Sequence, residues 1–584
     1  MIERIARLVT NHKIAPESIL GVTFTRNAAE EMRNRLKPVL GDLAERVMLS
    51  TVHSFCFWVL KNENYVFEIL YGKDQIIFMR EVIKKLRFRE LPPAVCLREI
   101  SLSKNNLVSA EDMKVLYGND KTMIKVADVY QRYDEEKRKK MLLDFDDLLV
   151  ETYKLLETDE QVKSKYQSIF RHVLVDEWQD TNPVQLEILK LLIDGDSQDA
   201  SFWVCGDDWQ SIYAFVGASL GNILNFKEMF PQSREYILNL NYRSTPQIIK
   251  ACQQLIQHNV RKIEKELQAH NEDGEEVVLL ESSSEQGEAL SLVNEIMDLV
   301  HRRGFVHKDI AILYRANFQS RVVEEVFSQH KIPYHIENGL NFYSRSEIKI
   351  LLDYLRLIND PHSDAGDEAL LSVINVPNRY IGRTFTSELQ AFASRREQHL
   401  YPALKSIIVD LPYVRKNINT FIQFLEPLMA DAENLEPAEL LSLLRSTLDY
   451  DRHITDSDIP SPDDSKIQNL NELQLAATRY SKIQQFLEYT DTFQDAAVHD
   501  PNGVSLMTIH KAKGLEFPVV FVIGLVEGIM PTKKGDIEEE RRICFVGISR
   551  AMKLLYLSWS QTYLGQTSKK STFIDEILGT KEPT

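Results

Sequence analysis

The apolar positions of the first fifty residues alternate between a helical and a strand pattern. Apolar residues recur at helical spacing over residues 2–9, until Pro16 interrupts the pattern. The pattern that follows predicts a buried strand, a helix and a short strand at 19–24, 28–36 and 47–49. Strands that alternate with helices favour a parallel sheet covered by helices.

The same alternation appears twice along the chain, and each time a helical stretch interrupts it. Residues 60–140 are helix-rich and charged, after which apolar strands are predicted at 173–175 and 202–205. A second alternation begins near residue 245, and its candidate strands are 276–280, 310–314 and 519–523. Residues 350–500 show an almost wholly helical pattern.

These patterns predict an α/β protein with two parallel-sheet cores, each interrupted by a mainly helical insertion. A chain of 584 residues is long enough for several domains. The predicted segments are 1–60 and 141–244 for the first core, 61–140 for its insertion, 245–349 and 501–584 for the second core, and 350–500 for its insertion.

Composition favours a cytoplasmic protein with no membrane partner. Hydrophobic residues make up 44% of the chain and charged residues 27%, as in ordinary globular proteins. No run approaches the roughly 18 apolar residues of a membrane-spanning helix, and the first residues lack the apolar centre of a secretory signal. The five cysteines are scattered and form no C-x-x-C pair, which favours reduced and mostly buried thiols.

The formal net charge of −17 argues against a uniformly basic surface that coats nucleic acid. It does not exclude a nucleic-acid groove, because attraction depends on the local potential. Short basic clusters occur near residues 33–37, 84–89 and 137–140. Such clusters are more often solvated helix faces than phosphate contacts, so charge alone decides little.

Two adjacent carboxylates follow the predicted strand 173–175. At the carboxyl end of a buried parallel strand, Asp176 can hold the water shell of a Mg²⁺ ion and Glu177 can orient an attacking water. A bare Asp-Glu pair is more often an acidic strand end without a catalytic role. The longer string LVDEWQDTNPVQ at 174–185 is far less expected by chance, and Pro183 stands where a helix tolerates proline best.

A second polar and aromatic string, 206–215, follows the next predicted strand. Gln210 could respond to a γ-phosphate, and Tyr213 and Phe215 offer faces on which nucleic-acid bases stack, although aromatic residues taken singly are more often core. In the string 241–244, Tyr242 could stack on a purine and Arg243 could reach phosphate.

Together these strings resemble the UvrD/Rep group of superfamily 1 DNA helicases, and the resemblance spans nearly the whole chain. The segments similar to family motifs Ia, Ib, II, III, IV, V and VI follow in order at 23–32, 50–55, 176–177, 206–215, 241–244, 504–517 and 540–551. So many motifs in order exclude a chance match. The resemblance implies two RecA-like cores of the P-loop NTPase type, with ATP and Mg²⁺ as cofactors.

The resemblance also implies a role for each matching residue of the nucleotide site. Asp176 would bind Mg²⁺, Glu177 would be the general base, and Gln210 would couple the γ-phosphate to the DNA-binding surface. The remaining implied nucleotide contacts are Tyr242 on adenine, Arg243 and Arg550 on the γ-phosphate, and Gly514 and Glu516 near the ribose and phosphates.

On the DNA side, the resemblance implies stacking and strand contacts. Phe24, Tyr213 and Phe215 would stack on bases, and the residues that would touch the strand are Thr51, His53, Thr508 and His510. The implied substrates are single-stranded DNA and 3′-tailed duplex DNA. Family members close a cleft between the cores around ATP and move 3′→5′ along DNA, a polarity that residue spacing alone does not give.

One family motif is absent from the printed sequence. None of its 22 glycines belongs to a G-x-x-x-x-G-K-[ST] segment, whose N–H groups and lysine bind the β- and γ-phosphates. Family spacing would place that lysine a few residues upstream of Met1, so we expect a start further upstream or a fragment. A catalytically dead relative is the alternative, against which the retention of the other nucleotide residues argues.

The function expected from the sequence is therefore an ATP-dependent 3′→5′ DNA helicase or translocase. We expect little hydrolysis from the chain that starts at Met1 and clear hydrolysis from an extended one, abolished by Glu177→Gln. The rival is a non-hydrolysing single-strand DNA-binding or scaffold protein. Repair, replication or nuclease proteins are possible partners, and Val216, where relatives usually have arginine, could weaken coupling to DNA.

Overall fold

The computed structural model describes residues 1–193, 199–337, 339–456, 465–495, 500–533 and 535–580. Its internal contacts separate two compact units. The first unit contains Met1–Asn239 and Asn259–Glu266, and the second contains Leu240–His258, Leu267–Thr455 and the described residues from 465 onward. None of the described helices is both long and apolar enough to cross a membrane.

The first unit is built on a four-stranded parallel sheet. Its strands are Ile19–Thr23 (β1), Met48–Thr51 (β2), Glu68–Ile69 (β3), Leu142–Leu143 (β4), His172–Val175 (β5) and Ser201–Val204 (β6). The sheet order is β2-β1-β5-β6, while β3 and β4 form a separate short pair. Every residue of β1 and β5 is buried, as expected for central strands that helices cover on both faces.

Helices surround this sheet and form the insertion between β2 and β5. They are Ile2–Thr10 (α1), Arg26–Leu40 (α2), Val52–Asn62 (α3), Gly72–Leu86 (α4), Pro93–Asn105 (α5), Ala110–Leu116 (α6), Lys121–Lys139 (α7), Phe145–Thr158 (α8), Glu160–Ile169 (α9), Pro183–Leu192 (α10), Gly221–Leu224 (α11) and Phe226–Met229 (α12). Helices α4 to α7 pack around their own apolar cluster, so the insertion has a separate core.

The second unit is built on a six-stranded parallel sheet. The strands of this unit are Leu240–Asn241 (β7), Gln268–Ala269 (β8), Val278–Ser282 (β9), Ile310–Tyr314 (β10), Tyr334–Ile336 (β11), Val504–Thr508 (β12), Phe517–Val522 (β13), Ala551–Ser560 (β14), Thr562–Tyr563 (β15) and Gln566–Thr567 (β16). The main sheet has the order β11-β12-β10-β13-β14-β9, and β10, β12 and β13 are largely buried.

The second unit also carries a helical insertion within its chain. Its helices are Pro246–Ile256 (α13), Glu285–His301 (α14), Ser320–Gln329 (α15), Ser346–Asn359 (α16), Asp364–Val373 (α17), Arg383–Arg395 (α18), Leu400–Ser406 (α19), Pro412–Ala430 (α20), Pro437–Thr447 (α21), Tyr450–Thr455 (α22), Lys466–Ala477 (α23), Ile483–Asp495 (α24), Ile509–Ala512 (α25), Ile537–Ile548 (α26) and Thr572–Ile577 (α27). Helices from α16 to α24 enclose one large apolar cluster.

The fold-class prediction is confirmed, because both units contain a parallel α/β sheet of the expected RecA-like kind. The chain passes from the first unit to the second after Asn239, whereas the predicted boundary is at residue 244. Ser244 Oγ donates to Ala551 O at 2.6 Å and Thr245 N donates to Met552 O at 3.2 Å, which attaches this segment to β14. Tyr242 and Arg243 therefore belong to the second unit.

Candidate nucleotide and DNA-binding sites

Asp176 and Glu177 lie at the carboxyl end of β5, as the sequence predicts. The main-chain N–H of Asp176 donates to Val22 O at 2.9 Å, which extends the β1–β5 ladder by one residue. Glu177 then adopts a left-handed conformation with φ of 52°, which turns the chain away from the sheet. Such strained conformations in non-glycine residues are enriched at functional sites.

The carboxyl group of Asp176 is electrostatically linked to its surroundings. Burial and the adjacent charge of Glu177 raise the pKa of Asp176. A carboxylate at the end of a buried parallel strand is a place where a hydrated divalent cation can be held.

Gln179 connects Glu177 to the next strand end. Its side chain is completely buried; its Nε2 donates to Glu177 Oε2 at 2.5 Å, and its Oε1 accepts from the main-chain N–H of Asp207 at 2.9 Å. Gly206 permits this approach, since a Cβ there would lie 2.7 Å from Gln179 Oε1. One side-chain amide thus joins the turns that follow β5 and β6.

Asp207 in turn orients Gln210. Its Oδ1 accepts from the N–H of Trp209 at 3.1 Å, and its Oδ2 accepts from Gln210 Nε2 at 2.7 Å. These bonds close a short 3-10 turn, Asp208–Gln210. The side chain of the predicted coupling residue Gln210 is therefore held by the turn that Gln179 also contacts.

Three aromatic side chains form an exposed cluster in the first unit. The rings of Phe24 and Tyr213 stack, with centroids 4.8 Å apart and an interplanar angle of 20°. The ring centroid of Phe215 lies 6.0 Å from that of Tyr213. Phe24 is 40% exposed and Phe215 is 37% exposed, which is unusual for aromatic rings in contact with each other. We call these three residues the aromatic platform, because bases can stack on exposed aromatic rings.

Thr51 and His53 are less accessible than Phe24 and Phe215. Thr51 pairs with Thr23 across the β1–β2 ladder, which places it at the same sheet edge as Phe24. Its hydroxyl accepts from the N–H of Ser54 at 3.2 Å and caps α3. His53 is half-buried, and burial lowers its pKa.

In the second unit, Arg243 and Glu516 form a salt bridge. Arg243 Nε donates to Glu516 Oε2 at 2.7 Å, and its Nη1 approaches Ser549 O at 3.4 Å. Gly514, two residues before Glu516, has φ of 87° and supplies the left-handed turn before β13. Tyr242 is 66% exposed and its ring contacts His270 at 4.7 Å, so one face of this side chain remains open.

Arg550 lies close to the Arg243–Glu516 pair, but its side chain points into the second unit. It is 2% exposed, its Nε donates to Val546 O at 2.9 Å, and its Nη1 donates to Leu515 O at 3.3 Å. Contact with a phosphate would require the guanidinium to exchange these carbonyl acceptors. The structure therefore brings Arg243 and Glu516 together and holds Arg550 next to them in an inward orientation.

Thr508 and His510 differ from the expectation that both side chains touch a DNA strand. Thr508 is fully buried at the end of β12, where its hydroxyl accepts from Lys511 N at 3.4 Å and caps α25. His510 is also buried. Contact of these two side chains with a DNA strand therefore stays a prediction.

Two residues that join the turns after β5 and β6 receive no role in the interpretation of the sequence. Gln179 and Asp207 lie within the strings 174–185 and 206–215, but no sequence signal distinguishes them from their polar neighbours. Asp176 and Glu177 supply hard oxygen ligands at one strand end, which suits Mg²⁺ because this ion binds few protein carboxylates and keeps several waters.

Comparison with known proteins agrees with this geometry. The family described as UvrD/REP helicase N-terminal domain matches residues 1–231, and the UvrD-like helicase C-terminal domain matches residues 236–562. An ATP-dependent DNA helicase PcrA of Staphylococcus epidermidis is 35% identical over 607 aligned positions, which cover 98% of this chain and 82% of the relative. A PcrA of Staphylococcus aureus is 34% identical with the same coverage of both chains.

Proposed function

The chain belongs to the UvrD/Rep family of DNA helicases, and from this membership we propose that it is an ATP-dependent helicase and single-strand DNA translocase that moves 3′→5′. The observation that carries the proposal is the hydrogen-bonded connection from Glu177 through Gln179 to the turn of Asp207 and Gln210. That turn continues directly into Tyr213 of the aromatic platform. Nucleotide chemistry and DNA binding would thus share one continuous set of contacts.

In the proposed reaction, Glu177 accepts a proton from the water that attacks the γ-phosphate of ATP. Gln179 holds the carboxylate through its amide, and Gln210 lies where the loss of the γ-phosphate can be transmitted to Tyr213. A Mg²⁺ ion held by Asp176 would neutralise charge on the β- and γ-phosphates. The exclusion of water around the buried Gln179 strengthens each of these polar contacts.

The second unit is proposed to supply the cationic and stacking groups. Arg243 and Arg550 would stabilise charge on the transferred phosphoryl group, an effect worth about 10³–10⁵ in rate in other NTPases. Arg550 would have to leave its carbonyl acceptors, so its engagement would accompany nucleotide binding. Glu516 holds Arg243, and the exposed ring of Tyr242 would stack on adenine.

The aromatic platform is proposed to bind single-stranded DNA with little sequence preference. Base stacking on aromatic side chains is worth about 1–3 kcal/mol per base and tolerates every base. Thr51, at the same sheet edge as Phe24, and His53, in the first turn of α3, would contact the strand beside the platform. The net charge of −17 means that phosphate attraction must come from local groups.

A non-hydrolysing single-strand DNA-binding relative is the second candidate. The observation that favours it is the absence of any G-x-x-x-x-G-K-[ST] segment from the printed sequence. Without the N–H groups and lysine of such a loop, the β- and γ-phosphates lose their main protein contacts. DNA binding by the aromatic platform does not depend on that loop.

Unwinding assays separate the two candidates and test polarity. We define the loop-bearing form as this chain with a G-x-x-x-x-G-K-[ST] segment placed ahead of Met1, and we compare it with the 584-residue chain. The proposal expects both to bind single-stranded DNA, and expects the loop-bearing form to unwind 3′-tailed but not 5′-tailed duplexes with ATP. Binding without unwinding in both forms supports the second candidate, and unwinding from a 5′ tail overturns the polarity.

A further inference from the structure

A short segment outside every helicase motif is attached to the turn that holds Gln210. Residues Asn259–Glu266 belong to the first unit by their contacts, although the chain before and after them belongs to the second. The N–H of Ile263 donates to Asp208 Oδ2 at 2.7 Å, and Trp209 Nε1 donates to Ile263 O at 3.3 Å. The segment therefore packs directly on the turn Asp208–Gln210.

Lys265 makes the strongest polar contacts of this segment. Its Nζ forms salt bridges with Asp207 Oδ1 and, at 2.8 Å, with Asp208 Oδ1. The ammonium also lies 4.5 Å from the ring centroid of Trp209. Carboxylates on one side and an aromatic face on the other are the two environments that stabilise a desolvated cation.

The burial of these groups makes the contact energetically important. The Lys265 side chain is 12% exposed and Asp208 is 1% exposed, so water screens their interaction weakly. Burial alone lowers the pKa of Lys265, but Asp207 and Asp208 outweigh it and hold the pKa above its ordinary value. Removal of one partner from such a buried pair leaves the other charge uncompensated.

Asp207 is the residue through which Lys265 reaches the reacting groups. Its Oδ1 contacts Lys265 and its Oδ2 accepts from Gln210, while its N–H donates to Gln179, which holds Glu177. Asp207 therefore holds Gln210 through its carboxylate and Gln179 through its main-chain N–H. Without the ammonium, the carboxylate keeps the bonds from Trp209 N–H and Gln210 but loses its charged partner.

We propose that Lys265 is a positioning residue for ATP hydrolysis, which fixes Asp207, whose carboxylate holds Gln210 and whose main-chain N–H holds Gln179 beside Glu177. This inference rests on the proposed function, because it assigns Lys265 to the same site. It predicts that loss of the ammonium lowers the rate of hydrolysis while nucleotide affinity stays nearly unchanged, since the contacts of Lys265 found among the described residues are with the protein groups Asp207, Asp208 and Trp209.

The experiment uses Lys265→Met and Lys265→Arg in the loop-bearing form, with Lys262→Met as the matched control. Lys262 lies in the same segment with the same 12% side-chain exposure, but its salt bridge is to Glu264, which is 82% exposed. A further variant, Lys265→Met with Asp208→Asn, removes one positive and one negative charge together. If Lys265→Met alone lowers stability, this double variant separates the effect on stability from the effect on kcat.

Steady-state kinetics with saturating single-stranded DNA give the first readout. We expect Lys265→Met to lower kcat about tenfold or more with KM within about twofold, Lys265→Arg to restore most of kcat, and Lys262→Met to match the wild type. The double variant should regain thermal stability but not kcat, because Asp207 still lacks its cation. Full recovery of kcat in the double variant, or equal losses for Lys262→Met and Lys265→Met, overturns the inference.

Amide hydrogen exchange in the 584-residue chain gives a second readout that needs no hydrolysis. We expect Lys265→Met to accelerate exchange of the Asp207, Trp209 and Gln210 N–H groups about tenfold, and Lys262→Met to leave them unchanged. If the wild-type loop-bearing form shows no hydrolysis, the proposed function fails in its catalytic part. The exchange data then decide whether Lys265 fixes the turn, and unchanged protection overturns the inference.

Discussion

The side-chain amide of Gln179 joins Glu177 to Asp207, with Nε2 donating to the carboxylate at 2.5 Å and Oε1 accepting from the main-chain N–H at 2.9 Å. Gln179 is fully buried, whereas its partners Glu177 and Asp207 are half-buried, so both bonds are partly shielded from water. A group that pairs the proposed general base with the neighbouring turn can keep the two in a fixed relation. We infer that the relation between Gln179 and Glu177 is part of the hydrolytic apparatus.

Gln179→Ala should therefore lower kcat for ATP in the loop-bearing form about tenfold or more, with KM within about twofold. The substitution removes the amide that holds Glu177 and leaves the Asp207 N–H without its acceptor. The matched control is Gln185→Ala, since Gln185 is also buried but serves only the capping box of α10 with Asn182. Equal kcat losses in the two variants would contradict a specific role for Gln179.

The aromatic platform should account for much of the affinity for single-stranded DNA. Phe24→Ala and Tyr213→Ala should each weaken binding of the 584-residue chain by about 1–3 kcal/mol, and the double variant should show less than the sum because the two rings stack. Fluorescence anisotropy with oligo-dT and with a mixed sequence measures both effects.

The control for the aromatic platform is Phe57→Ala. Phe57 is 39% exposed, as Phe24 is 40% exposed, but its ring packs against that of Phe67 and not against a ring of the platform among the described ring contacts. We expect Phe57→Ala to leave DNA affinity within about twofold of the wild type. A loss equal to that of Phe24→Ala would mean that general surface changes, rather than stacking, control binding.

A buried charge cluster should stabilise the insertion of the first unit. Lys104 forms salt bridges with Asp134 at 3.2 Å, Asp144 at 3.2 Å and Asp147 at 2.6 Å, and its side chain is 1% exposed. Burial lowers the pKa of Lys104, but the three aspartates outweigh it and hold the pKa well above its ordinary value. The cluster thus ties α5 and α7 to the start of α8.

Lys104→Met should lower the free energy of unfolding of the first unit by about 3–5 kcal/mol, because it leaves the three aspartates with one buried lysine, Lys137, instead of two. Lys114→Met is the surface control, since its salt bridge with Asp128 is about one-third exposed, and should cost less than about 1 kcal/mol. Hydrogen exchange of α5, α7 and α8 amides in denaturant measures both. A small effect of Lys104→Met would show that the cluster is not a stabilising centre.

The stability of the second unit should depend on pH through Glu285. Burial, together with the nearby charges of Glu472 and Glu288 against that of Arg321, raises the pKa of Glu285 to about 8 from an ordinary value of 4.5. The native state therefore keeps a proton that the unfolded chain has lost. Between these two values stability falls as pH rises, by at most about 1.4 kcal/mol per pH unit.

Glu285→Gln should remove this dependence, since an amide oxygen can still accept the bond from the N–H of Leu564, which is 2.9 Å long in the wild type. Thermal unfolding from pH 5 to pH 9 should show the stability of the Glu285→Gln variant increasing relative to that of the wild type as pH rises. The control is Glu281→Gln, which changes an exposed carboxylate in β9. A constant difference between Glu285→Gln and wild type across this range would contradict the assignment.

The sequence predicts the sheet architecture because buried parallel strands are continuous apolar runs. Ile310–Tyr314 is predicted with its observed bounds, and His172–Val175 is missed by one residue only, since a polar His172 precedes the apolar run. The strand Val504–Thr508 is not among the predicted strands, because the sequence analysis assigns these residues only to the motif at 504–517. The sequence also places Asp176 and Glu177 at the end of the strand His172–Val175, because they directly follow its apolar run.

Side-chain direction and long-range partners cannot be read from those patterns. Arg550 and His510 belong to motifs expected to face ligands, yet packing within the second unit buries both. Lys265 carries no sequence signal, because its partners Asp207 and Asp208 are distant in sequence and meet it only in the folded unit. What the sequence leaves out is therefore the tertiary contact that orients a side chain.

ATP hydrolysis, measured with and without single-stranded DNA in the loop-bearing form, its Glu177→Gln variant and the 584-residue chain, shows whether Glu177 drives a DNA-stimulated reaction. We predict at least about tenfold stimulation by DNA in the loop-bearing form, a loss of about 10²–10⁴ in kcat on Glu177→Gln, and little hydrolysis by the 584-residue chain. Hydrolysis that ignores DNA, or that survives Glu177→Gln, would contradict this prediction.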